Sequence, residues 1–232
     1  MDGTVVFLHG LGCTRRSMAR LEARVAATGR RTVNIGYASL RHPIADLAEQ
    51  VAVQLRDEVP EGPLLAVTHS MGGILLRHLS DQFDWRGCVM LGPPNQSSDL
   101  ARLAQRVPIL RWIAGPACRD LAGKPAWPDP PKPCGLIVGT SGVTWANPPA
   151  WLGKIGGVFG PDDVHDGTVS IAEVMHDAAT DVALVRTGHT VMMNHPDVVN
   201  LVLRFLDTGD FGTTAKDPSI ETDTSRAELA TG

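Results

Sequence analysis

A repeated alternation constrains this chain more than any other feature of its sequence. Six short apolar runs, "TVVFLHG" (4–10), "RTVNIGY" (31–37), "PLLAVTHS" (63–70), "GCVMLG" (87–92), "CGLIVGT" (134–140) and "DVALVRTG" (181–188), punctuate it. Four intervening or following segments, "RSMARLEARVAAT", "PIADLAEQVAVQLRDEV", "MGGILLRHLSDQF" and "PDVVNLVLRFLD", carry apolar residues three and four positions apart. Runs that are apolar throughout need cover on both faces, and amphipathic helices between them supply it. The expected fold class is therefore α/β: a minimal six-stranded, mostly parallel sheet with helices on both faces. Pro43 and Pro196 suit first helical turns, and Gly29 stands where a helix would stop.

Composition then narrows the partners. With 232 residues, 43% of them hydrophobic, the chain can bury one sizeable core, so residues 1–207 are expected to form a single domain. The polar stretch 208–232 is expected to be a disordered tail. A formal net charge of -4 offers no bulk basic face for nucleic acid. Small molecules are the expected partners. No stretch approaches the roughly 18 apolar residues of an integral membrane segment, and the first residues lack the charged and apolar regions of an export signal. The expected location is cytoplasmic, or secreted if a signal has been trimmed. Cys13, Cys88, Cys118 and Cys134 form no CxxC pair and read as reduced thiols, with a Cys118–Cys134 bridge as the alternative in an exported protein.

Two stretches break the alternation. Roughly forty residues, 92–133, separate the fourth and fifth runs and hold "RVPILRWIAGP", while 141–166 contains Trp145, Trp151 and many Gly and Pro. Long insertions at the carboxyl ends of parallel strands are where ligands bind. The first is a candidate lid or cap that would expose Trp112 to a lipid interface; a helix packed on the core is the alternative.

The chemistry centres on "AVTHSMGGILL" (66–76), where Ser70 joins a strand to a helix. A serine hydroxyl needs a base and an exposed geometry before it becomes a nucleophile. A sharp turn between Thr68 and Gly72 would supply that geometry, although Ser70 would also serve as an ordinary helix N-cap. Downstream, Asp166 lies in "GPDDVHDGTVSIAEV" and His189 in "VRTGHTVMMNHPDVV", just ahead of the last helix. Asp163 and His195 are their rivals. Asp162, Asp163 and Asp166 together offer calcium binding as an alternative role.

Thr68-His69-Ser70-Met71-Gly72 resembles the G-x-S-x-G nucleophile elbow of the α/β-hydrolase family, with Thr68 in place of the first glycine. "FLHGLG" (7–12) is similar to the His-Gly loop of that family, and the resemblance extends from Thr4 to about Leu206. It implies a lipase- or esterase-like serine hydrolase acting on a small-molecule ester or lipid, with Ser70, Asp166 and His189 as triad in the chain order of this fold. The same resemblance makes the Leu11 and Met71 amides the oxyanion hole, and implies no metal and no organic cofactor. Candidate substrate contacts are His9, Gly10, Trp112 and Trp145, with His9 also read as a structural hydrogen bonder. An acyltransferase or thioesterase would use the same triad, and a non-catalytic binding protein would keep the fold alone.

Overall fold

The computed structural model describes residues 1–59, 61–123, 126–142, 157–160 and 163–212. All six apolar runs form strands: β1 (Thr4–Leu8), β2 (Thr32–Ile35), β3 (Leu64–His69), β4 (Trp85–Leu91), β5 (Cys134–Gly139) and β6 (Asp181–Val185). They pair in parallel throughout, in the order β2-β1-β3-β4-β5-β6. Sequence reversal of direction across the sheet occurs between β1 and β3. Their carboxyl ends therefore flank the crevice where open parallel sheets bind ligands.

Side chains alternate across the sheet as the pleat requires. Val5 and Phe7 join Leu21 and Val25 of α1 (Ala19–Ala26) and Val198, Val202 and Phe205 of α7 (Pro196–Thr208) in one core. Val6 and Leu8 face the other core, with Leu47, Val51 and Leu55 of α2 (Ile44–Glu58) and Ile74 and Leu75 of α3 (Met71–His78). Two cores on one sheet explain why the strand sequences lack a polar face.

The 92–133 insertion contains α4 (Asp99–Arg106) and α5 (Pro108–Ala122). Ser98 caps α4 by accepting the Ala101 N–H, and Leu100, Ala101, Ala104, Ala117, Cys118 and Leu121 are buried. A short α6 (Ile171–Val174) follows the second insertion, fixed by a capping box between Ser170 and Glu173. All four cysteines are free thiols; Cys134 stands opposite Cys88 in the β4–β5 register and is not bridged to Cys118. Among the described residues no helix is long and apolar enough to cross a membrane.

Candidate active site

β3 ends at His69 and α3 begins at Met71, so one residue carries the whole reversal from strand to helix. That residue is Ser70, with φ 53° and ψ -125°, a conformation that L-residues avoid at a cost of about 1–3 kcal/mol. The Ser70 N–H donates to the Leu91 carbonyl at 2.8 Å, which pins the turn to the end of β4. Ser70 does occupy the position before α3, yet its side chain makes no capping hydrogen bond. Ordinary N-cap residues have extended backbone and use their oxygen on the helix. Ser70 does neither.

The turn is possible because α3 starts almost in contact with β1. A Cβ on Gly72 would lie 2.5 Å from the Leu8 carbonyl oxygen and 2.8 Å from that of His9, so only glycine fits there. Thr68, by contrast, is buried with its side chain accommodated on β3, although its Oγ1 has no hydrogen-bond partner among the described residues.

At the end of β1, the His9–Cys13 loop lies against the turn, with the Gly10 Cα directed so that a methyl on it would come 3.1 Å from Ser70 Cβ. The loop is tied down by residues that follow β2: Tyr37 donates its hydroxyl to the His9 carbonyl, and Ser39 Oγ accepts the Gly12 N–H at 3.0 Å. The backbone N–H groups of Leu11 and Met71 have no hydrogen-bond partner among the described residues. Both remain available as donors.

His9 is fully buried and stacks on Tyr37 with ring centroids 3.9 Å apart. Its Nδ1 donates to the Gly10 carbonyl and its Nε2 accepts the Tyr37 N–H, which uses both nitrogens of a neutral ring. Burial lowers its pKa accordingly. The expectation of a substrate contact at His9 is thus corrected: the imidazole is a strut for the loop and shows no surface to a ligand. Trp112, also expected at the substrate, is 81% exposed on the outer side of α5. It faces solvent. Trp145 lies outside the described residues.

His189 and Asp166 come together at the ends of β6 and β5. His189 Nδ1 donates to Asp166 Oδ2 at 2.6 Å, and the His189 N–H donates to the Asp166 carbonyl at 3.0 Å. Asp166 Oδ1 in turn accepts the Thr168 and Val169 N–H groups at 2.9 and 2.8 Å, so both carboxylate oxygens are oriented before any reaction. Asp163 instead accepts the Gly160 N–H from an exposed position, and His195 caps α7 by accepting the Asp197 N–H. Asp162 lies outside the described residues. Since Nδ1 of His189 carries the proton given to Asp166, its Nε2 is left as an acceptor.

Sequence reading did not find two supports of this pair. Gly92, at the end of β4, leaves room for it: a Cβ there would lie 3.1 Å from both Asp166 Oδ2 and His189 Nδ1. The signal was present as a glycine closing an apolar strand. His69 is the other support, its ring 4.7 Å from that of His189 and its Nε2 donating to the His189 carbonyl at 3.0 Å. Burial, then the neighbouring His189, pushes the His69 pKa well below its ordinary range. The elbow's own second residue thereby holds the histidine loop to the turn that carries Ser70. Ser70 Oγ itself makes no hydrogen bond among the described residues. Such contacts commonly tighten only when substrate binds.

The fold is similar to that of the lipase BlEst2 from Bacillus licheniformis in its mature form, with a TM-score of 0.70, 19% identity, and 88% of this chain and 90% of that one covered. It is also similar to a thermophilic esterase from Thermogutta terrifontis, at a TM-score of 0.56 and 14% identity over 89% and 90% of the two chains. The phospholipase PlaB from Legionella pneumophila gives a TM-score of 0.56 and 18% identity over 75% of this chain. That match spans 46% of the phospholipase, less than half its length. Among curated proteins none matches this sequence. Residues 5–200, from the second residue of β1 into α7, match the alpha/beta hydrolase family, and the chain belongs to it.

Proposed function

We propose that the protein is a serine hydrolase that cleaves carboxylic esters of small molecules or lipids through a covalent acyl-enzyme. The observation that carries this reading is the 2.6 Å bond from His189 Nδ1 to Asp166, on a loop that His69 ties to the strained strand-to-helix turn carrying Ser70. In the first step His189 Nε2 takes the Ser70 hydroxyl proton as Oγ bonds to the ester carbonyl carbon, and the carbonyl π electrons move onto oxygen. The Leu11 and Met71 amides receive that oxyanion, each such donor being worth roughly 3 kcal/mol in comparable sites. As the intermediate collapses, the carbonyl re-forms, the C–O bond to the alcohol breaks and His189 returns its proton to the leaving oxygen. Water then repeats the sequence on the acyl-enzyme, releasing the acid and regenerating Ser70.

Asp166 keeps the imidazole in the tautomer that accepts at Nε2 and stabilises the cation that forms. The lipase, esterase and phospholipase among the similar folds support an ester or lipid substrate, and the same three residues would serve a thioester. A fluorophosphonate probe, read by mass spectrometry, is expected to modify Ser70 in the native protein and nothing in Ser70→Ala. Turnover of p-nitrophenyl esters is expected to disappear in the same variant, and to rise from acetate to longer chains in the native protein. A folded protein that resists the probe and leaves every activated ester intact would overturn the proposal.

A further inference from the structure

α5 is two helices of opposite character joined at a break. Gly115 has φ 75° and ψ -178°, and Pro116 follows it. The break is built in, because a Cβ on Gly115 would overlap the Leu40 carbonyl oxygen at 2.0 Å. After it, Ala117, Cys118 and Leu121 are buried; before it, Ile109, Trp112 and Ile113 are 59%, 81% and 54% exposed. Positions i, i+3 and i+4 share one helix face, so three large apolar side chains form a single outward stripe. Leu40, itself exposed beside the break, borders it.

The charge adjoining this stripe along the chain is one-sided. Residues 100–119 contain Arg102, Arg106, Arg111 and Arg119 and no Asp or Glu, in a chain whose formal net charge is -4. Arg102 is paired with Asp99, and Asp120 is occupied in accepting the Ile44 N–H. Arg106, Arg111 and Arg119 are exposed and form no ion pair among the described residues. Exposed aliphatic and tryptophan side chains with unpaired arginines at neighbouring chain positions match the boundary of a bilayer, where acyl chains meet anionic headgroups.

We infer that the Pro108–Ala114 half of α5 docks the protein on anionic phospholipid membranes, inserting Ile109, Trp112 and Ile113 between headgroups while Arg106 and Arg111 pair with lipid phosphates. This deepens the ester-hydrolase reading by naming where its substrate would be met, and it is tested without requiring turnover. The Gly115 break sets the angle at which the stripe leaves the body, and the buried second half keeps it anchored.

The test is flotation of the full chain, carrying Ser70→Ala so that no lipid is consumed, with vesicles of phosphatidylcholine alone or with about one third phosphatidylglycerol. Binding is expected to the anionic vesicles, to weaken strongly in 0.5 M salt, and to be slight with phosphatidylcholine alone. Ile109→Ser with Ile113→Ser, and separately Arg106→Glu with Arg111→Glu, should each weaken partition by about tenfold or more. These surface changes are expected to leave the thermal midpoint and soluble-ester turnover of the Ser70 protein unaltered, which separates failure of docking from failure of the hydrolase assignment. No flotation of the folded protein with anionic vesicles, or equal flotation after charge reversal, would overturn the inference. So would a concentration-dependent dimer abolished by the isoleucine changes, since a second copy would then be what covers the stripe.

Discussion

The loops at the carboxyl edge of the sheet and the first half of α5 are both excursions from the same scaffold, and they are held in opposite ways. At the sheet edge, His9, His69, Ser70, Asp166 and His189 are all buried; side-chain and backbone bonds join the ends of β3, β4, β5 and β6, and others join the loop after β1 to residues after β2. Pro108–Ala114 instead turns its largest apolar groups outward. The rest of the insertion is tied firmly: Arg77 donates to Asn95 and to the Trp127 and Pro128 carbonyls, and Asp120 accepts the Ile44 N–H. The difference teaches that an exposed stripe here does not come from a loosely attached insertion. Orientation at the sheet edge demands fixed groups, whereas a surface for a disordered partner phase demands only a rigid base.

The contrast is broken most decisively at the buried edge. Ser70→Ala is expected to lower kcat/KM on p-nitrophenyl esters by at least about 10⁴-fold with the fold intact, and Asp166→Asn by roughly 10³–10⁴-fold, because the imidazole loses its correct tautomer. Steady-state kinetics alongside circular dichroism checks both. Gly72→Ala is expected to cost on the order of 3 kcal/mol or more, read as a fall in the urea midpoint, since its Cβ meets backbone carbonyl groups that cannot step aside. His69→Ala should reduce kcat/KM about tenfold by freeing the His189 carbonyl, and His69→Gln, which retains a donor, should recover most of it.

A pH series sharpens the same comparison. His9 and His69 have folded-state pKa values below the usual 6.5, so between that value and their lowered ones the unfolded chain binds protons that the native protein refuses. Stability is full above pH 6.5 and declines as the pH falls toward the lowered values. Thermal midpoints between pH 7 and 5 should therefore drop, and His69→Gln should drop less steeply. The smallest effect belongs to the exposed half: Ile113→Ser is expected to change stability by no more than about 0.5 kcal/mol by urea unfolding, because little burial is lost.

What the linear chain determined by itself was local and periodic. Six apolar runs and the helical segments between them specify strands, helices and covered faces, because burial on both sides leaves its mark on every residue of a strand. The strand-to-helix junction at Ser70 was equally legible, with glycine two places on, but only its φ of 53° and uncapped side chain separated it from an ordinary helix N-cap. What only the tertiary structure decided were pairings across long separations: Asp166 over Asp163 for His189, Tyr37 and Ser39 as props of the His9–Cys13 loop, and His69 as the tether of the histidine loop. It also turned Trp112 outward and His9 inward. Neighbouring aspartates look alike along a chain, and a tryptophan has no side marked as interior, until the packing of elements far apart in sequence fixes which atoms come within hydrogen-bond reach.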